Sequence, residues 1–190
     1  MQRREYIIVG TQVTLGLVEW FSRYDTDPRR IALILTNIVA TAGLLVLMII
    51  TRRHGQRIST AAIVVAILAI WADASGNFGH QYGHNWWYDH LTHATGGLAV
   101  SAVGIEIYRL MVSSGRAVMS PAQVTWAGLA FGQALGALYE VSEYLGDQVF
   151  ATHRVGAGFD TSRDLTFNLL GGIVAACVFW PYLKRKLRSR

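Results

Sequence analysis

The chain has 190 residues, 52% of them hydrophobic and 15% charged, with a mean hydropathy of +0.31. That balance excludes an ordinary soluble domain of this size, because several runs reach the roughly 20 apolar residues that cross a bilayer core. The net charge of +5 does not point to nucleic acid, since the basic residues lie in short clusters between apolar segments, where they act as topology signals.

In chain order, six segments stand out: about Tyr6–Phe21, Ile31–Ile50, Ile58–Phe78, Leu91–Val112, Pro121–Leu145 and Leu165–Leu183. Each is apolar on nearly all sides, as a helix surrounded by lipid must be. The first has the basic start and apolar middle of a signal peptide. It lacks a small-residue cleavage pattern and ends in Glu19-Trp20-Phe21, so it reads as a retained helix. Ser120-Pro121 is a cap followed by a first-turn proline and marks the start of the fifth segment. Gly128, Gly132 and Gly136 form a ladder along it that lets another helix approach closely. Gly96-Gly97 and Gly171-Gly172 offer the same in the fourth and sixth segments. The single cysteine, Cys177, cannot form an intramolecular disulfide. No repeat or linker divides the chain, so the expected fold is all-α: a polytopic membrane bundle of about six transmembrane helices in one domain, residues 1–190.

With a cytoplasmic N-terminus, 12 of the 17 basic residues fall on the cytoplasmic side, including Arg52, Arg53, Arg57, Arg109, Arg116 and the C-terminal cluster. Both termini are therefore expected in the cytoplasm of a multi-pass protein of the cell membrane. Trp71, Trp86, Trp87, Tyr88 and Tyr144 then fall near the outer interface, as an aromatic belt.

The same orientation sorts the polar residues. Asp73 and Asn77 end the third segment, followed by His80 and His84. Asp89 and His93 open the fourth, Glu140, Glu143 and Asp147 lie late in the fifth, and Asp160, Asp164 and Asn168 open the sixth. Glu140 lies ~28 Å along its helix from Pro121 at the usual rise per residue. Seven of the twelve acids and five of the six histidines thus collect on the extracytoplasmic side. So many carboxylates in a partly dry place repel one another unless some are protonated or a cation sits among them. Residues four apart, such as Asp89 with His93, share a helix face and can hold one ion, and bundles build metal sites by bringing such pairs together.

Simpler roles stand beside this one. Asp89 and Asp160 also fit helix caps, Asp147 fits a solvated interface residue, and His80, His84, His90 and His153 fit surface histidines. Glu19 and Glu106, at helix ends, fit snorkelling or pairing with Arg23 and Arg109. Glu140, Asp164, Asn168 and His93 lie a turn or more inside apolar helices, where solvation is less available.

The pattern Asp89-x3-His93, Glu140-x2-Glu143, Asp160-Thr161-x2-Asp164, followed by an apolar glycine-containing helix, resembles the YjdF proteins. It is similar, more loosely, to the VanZ-like membrane proteins, through Asp89, His93, Glu140, Asp164, Asn168 and Gly171. Glu143 and His90 replace the glutamine and lysine common in the VanZ-like pattern, which adds ligand-capable groups. The resemblance covers about the last 100 residues and implies a membrane protein without implying an activity.

Three functional readings remain open. The leading one is a divalent-metal site (Zn²⁺, Mn²⁺ or Mg²⁺) facing the extracytoplasmic side, in a hydrolase of a lipid or lipid-linked envelope substrate. Asp89, His93, Asp160 and Asp164 would be ligands, Glu140 and Glu143 the catalytic carboxylates, and Asp73, Asn77 and Asn168 supporting polar groups. The second is a non-enzymatic envelope protein whose acids and histidines lock the helix ends together. The third is a cation or proton pathway, which the dry cytoplasmic halves of the helices disfavour.

Overall fold

The computed structural model describes residues 3–22 and 27–188, and every regular element among them is a helix. These are α1 (Arg3–Phe21), α2 (Asp27–Arg53), α3 (Thr60–Phe78), the single turn α4 (Gln81–His84), α5 (Tyr88–Ser113), α6 (Pro121–Phe150) and α7 (Asp160–Arg188). Each of the six expected segments coincides with a long helix. The ends differ because apolarity marks only the dry part of a helix: α5, α6 and α7 continue through their polar residues to Tyr88, Phe150 and Asp160. The turn α4 lies in the histidine-containing connection and has no apolar period to announce it.

Four helices are long and apolar enough to cross a membrane: Pro28–Arg53, Thr60–Phe78, Tyr88–Ser113 and Asp160–Leu187. The apolar part of α1, Tyr6–Phe21, is shorter, and α6 carries three acids, Glu140, Glu143 and Asp147, toward its C-terminal end. Large apolar side chains face outward on most of the helices, among them Leu35, Val39, Leu68, Leu138, Ile173 and Val178. An all-round apolar surface of this kind belongs in lipid.

α5 is the central helix and packs on α7, α6 and α3, while α2 meets the bundle mainly through α1. Small residues make this packing close. A side chain at Gly97 would collide with the backbone of Asn168, and one at Gly171 with the carbonyl of Ala94, so α5 and α7 touch backbone to backbone. On α6, Gly128 meets Ile105 and Gly132 meets Ser101, which docks the ladder on α5, while Gly136 lies under the Asn168 side chain. Gly96 faces open space and takes no part. Ser120 caps α6 in a full capping box with Gln123, and Ser59 caps α3.

Below the polar end, Ala102, Ile105, Leu110, Val124, Ala175, Phe179 and Leu183 form the buried core. At the far end of α5, Glu106 and Arg109 are buried together, with Arg109 Nη2 donating to Glu106 at 2.8 Å and to the Arg57 carbonyl at 3.0 Å. The Ser59 amide also donates to Glu106, at 3.1 Å. Glu106 therefore pairs with Arg109, as expected. Glu19 instead accepts from Asn37 at 3.1 Å, within a chain in which Gln12 joins Asn37, Thr41 and Trp71. Arg23 lies outside the described residues. This network links α1, α2 and α3 through polar groups inside apolar helices.

Candidate functional site

The one-turn spacing of Asp89 and His93 places both on the face of α5 that meets α7, where Asp164 follows the first turn of that helix. The Gly97 and Gly171 contacts lie about a turn further in and fix the separation of the two helices at that level. The result is a cluster of three ligand-capable residues, Asp89, His93 and Asp164, whose donor atoms all lie within 4.8 Å of one another. His93 Nε2 stands 3.5 Å from Asp89 Oδ1 and 3.6 Å from Asp164 Oδ1. The other ring nitrogen, Nδ1, faces Glu140 Oε1 of α6 at 3.7 Å. Asn168, one turn beyond Asp164, also reaches the His93 ring.

Two atoms here lack partners. Asp164 Oδ1 and Glu140 Oε1 are buried without a hydrogen bond, although their side chains are only 3% and 5% exposed. A buried carboxylate oxygen without a donor carries the full cost of desolvation, so such groups are normally compensated.

The remaining expected site residues are held by neighbours. Asp160 opens α7, but its carboxylate accepts from the Gly156 amide at 2.6 Å and so fastens the incoming loop. It is not one of the three converging residues. Asp89 lies in the first turn of α5, whose cap position is Trp87, so it is not the N-cap. Glu143 is paired with Arg154 at 2.7 Å, and Arg154 also donates to the Tyr139 hydroxyl and lies over its ring.

Asp73 accepts from Tyr82 at 2.7 Å, and the Tyr82 hydroxyl also lies 3.2 Å from that of Thr92, next to His93 in sequence. Burial first, and then the Asp73 carboxylate, raise the Tyr82 phenol well above its ordinary range, so it remains a donor. Asn77 donates to the Asp73 carbonyl at 3.0 Å and accepts from Arg29 at 3.2 Å. Tyr82 thus links Asp73 of α3 to the start of α5, while Asn77 ties α3 to α2.

Arg154 and Tyr139 carry no motif and were not among the expected site residues. The available signal was charge balance: an excess of acids at adjoining helix mouths calls for a cation, and Arg154 lies in the loop joining two of them. Asp147, past the apolar run of α6, organises that loop by accepting from Thr152 and from the amides of Arg154 and Val155, the latter two at 2.8 Å each. Burial alone would raise the Asp147 carboxyl, but these donors outweigh it and hold the group below its ordinary range. His80, His84 and His153 are exposed, and His90 stacks on Phe167, so none joins the cluster. Of the expected aromatic belt, Trp86, Trp87 and Tyr144 are exposed near this end. Trp71 and Tyr88 point inward and hydrogen-bond to Gln12 and the Ala72 carbonyl.

The family described as "Predicted membrane protein (DUF2238)" matches residues 7–185, nearly the whole chain. The chain belongs to this family, which is that of the YjdF-like proteins, whereas the VanZ-like likeness rests on the residue pattern alone. No curated protein and no solved structure matches the chain.

Proposed function

We propose that this integral membrane protein binds one divalent metal ion through Asp89, His93 and Asp164, and uses it to hydrolyse a lipid or lipid-linked substrate at the extracytoplasmic surface. The observation that carries the metal reading is the spacing around His93 Nε2. Its distances of 3.5 and 3.6 Å to the two aspartates are too long for charge-assisted hydrogen bonds, which run ~2.7–2.9 Å. They match the edge of a coordination sphere: two donors ~2.1 Å from one ion at tetrahedral angles stand ~3.4 Å apart. A histidine that merely locked the helices together would sit closer to its carboxylates. One imidazole with two carboxylates suits Zn²⁺ or Mn²⁺ better than Mg²⁺, which favours oxygen donors and retained water.

Each residue then has a role. Asp89 and His93 supply two ligands from one helix face and Asp164 the third from the neighbouring helix. Glu140 Oε1, 3.7 Å from Nδ1, places a carboxylate on the far edge of the ring, the side that carboxylates behind metal-ligating histidines occupy. It fits a positioning role there better than that of a base acting directly on water. Asn168 holds the ring from α7. Glu143 holds Arg154, whose guanidinium places a positive charge beside the cluster. A bound ion would supply Lewis-acid polarisation of an ester and activation of water.

Support for a lipid or lipid-linked substrate comes from the site's place at the end of the apolar helices, beside exposed Trp86, Trp87 and Tyr144 at the level of headgroups. The orientation rests on the excess of basic residues at the opposite end.

Metal content per chain tests the reading. Protein purified without chelator should carry about one divalent ion, and His93→Ala and Asp164→Asn should each lose it while keeping native helical content. Full occupancy in either variant, or no divalent metal in the intact protein, overturns the proposal.

A further inference from the structure

At the end of the bundle remote from Asp89, His93 and Asp164, a cleft of about 120 Å³ lies between the last turns of α2 and α5. Leu47, Ile50, Ile107 and Met111 form its apolar sides, and His54 and Arg116 stand at its mouth. Both polar residues lie in the turns that end the two helices, His54 just before the glycine of its turn and Arg116 just after. Each helix ends in a turn with a glycine at positive φ, Gly55 at 67° after α2 and Gly115 at 73° after α5, and the chain folds back over the cleft. The Arg116 amide donates to the Met111 carbonyl at 2.9 Å, which fixes the return. An Arg116 Nη2 atom then lies 2.9 Å from His54 Nε2 and 3.1 Å from Nδ1.

The charge around this mouth is one-sided. Arg52, Arg53, Arg57 and Arg116 lie in the two segments that form it, and neither residues 44–60 nor residues 107–120 contain an acid. The acid nearest in sequence, Glu106, is buried in its pair with Arg109. An apolar slot between helices that opens at a basic rim, where the hydrophobic helices end, complements one kind of ligand: an acyl chain carrying an anionic phosphate headgroup.

We infer that the α2–α5 cleft binds an anionic phospholipid, with its headgroup phosphate at Arg116 and His54 and an acyl segment along Leu47, Ile50, Ile107 and Met111. This combines charge recognition at the membrane surface with burial of apolar chain between helices. The site is separate from the acid cluster and does not depend on the metal reading.

The test is binding of phosphatidylglycerol, compared with phosphatidylcholine, to the full chain in a neutral detergent. Phosphatidylglycerol should bind more tightly. Arg116→Gln combined with His54→Gln should weaken it on the order of tenfold, the loss expected for charge-assisted hydrogen bonds. Ile107→Trp should weaken it comparably by filling the slot with the charges intact, which keeps the test decisive if the double variant fails to fold. Arg53→Gln, a neighbouring charge outside the cleft, should stay within about twofold.

Equal binding of the two lipids overturns the inference. So does an Arg53→Gln loss as large as that of the double variant, which would indicate a diffuse basic surface. An Ile107→Trp variant that binds like wild type overturns it as well. Displacement of the lipid by millimolar inorganic phosphate would reassign the site to a free anion.

Discussion

The two ends of α5 carry buried charge in opposite ways. Near its C-terminal end, Glu106 and Arg109 form a closed pair: one glutamate oxygen takes donors from Arg109 and the Ser59 amide, and the guanidinium lies over Tyr182. Near its N-terminal end, Asp89, Asp164 and Glu140 surround a single histidine at distances too long for hydrogen bonds, and oxygens of Asp164 and Glu140 have no donor. Both arrangements lie in the same bundle, the first fully buried and the second buried except for Asp89, which is part exposed. Charge that is balanced within the protein needs nothing further, whereas an excess of carboxylates crowded together is relieved by protonation or, on the proposed reading, by a cation from outside. Glu106 Oε1 also lacks a hydrogen bond, but it belongs to a carboxylate already neutralised by Arg109. An unpartnered oxygen therefore marks a site only where the local charge is also unbalanced.

Removing one partner should distinguish the two ends most strongly. Arg109→Met strands Glu106, which is fully buried, and should cost about 3–5 kcal/mol in thermal or denaturant unfolding. Adding Glu106→Leu should recover most of that loss. A small effect of Arg109→Met alone would mean that the pair is not a structural unit. Next in size is Gly171→Val, which forces α7 away from the Ala94 carbonyl and should cost about 1–3 kcal/mol. It should also abolish metal binding, because Asp164 retreats from His93. Unchanged metal affinity in this variant would detach the site from the helix contact.

At the acid end the sign reverses. With metal removed by chelator, Asp164→Asn relieves repulsion and should raise stability by on the order of 1 kcal/mol. With metal present, the wild type should be the more stable of the two, because only it gains from the ion. A destabilised Asp164→Asn apoprotein would show that the aspartate is already satisfied without a cation. The smallest effect is expected in the loop. Asp147→Ala should cost about 1 kcal/mol globally while speeding hydrogen exchange at the Arg154 and Val155 amides. Because the Asp147 carboxyl is held below its ordinary value, the loop's protection should be complete above pH ~4 and fade as pH falls through the lower folded value. Protection that does not change on acidification would remove Asp147 from this role.

Much of the fold was legible because membrane helices are written as long apolar runs, and the Ser120-Pro121 start of α6 follows from capping chemistry alone. The convergence of Asp89, His93 and Asp164 was legible once the helices were oriented, since alternate crossing brings their mouths to one side. Which acids actually meet was not. Asp160 shares a helix face with Asp164, yet its carboxylate is taken by the Gly156 amide, a contact set by a loop without periodicity. Arg154 was missed for the same reason: a lone cation in a connection acquires its partners, here Glu143 and Tyr139 of α6, only from the path of the chain. The Gln12–Asn37–Glu19 network had a clearer signal, a polar residue within each of two adjoining apolar helices, which in lipid calls for a partner on the neighbouring helix.

The central claim is that His93, Asp89 and Asp164 surround a metal ion through His93 Nε2 and two carboxylates. X-ray absorption at the edge of the co-purified metal tests it most directly. The account predicts a first shell of nitrogen and oxygen donors at ~2.0–2.2 Å, with the outer-shell scattering of one imidazole that disappears in His93→Ala. A shell of oxygen alone, or an imidazole signal that survives in His93→Ala, would contradict it.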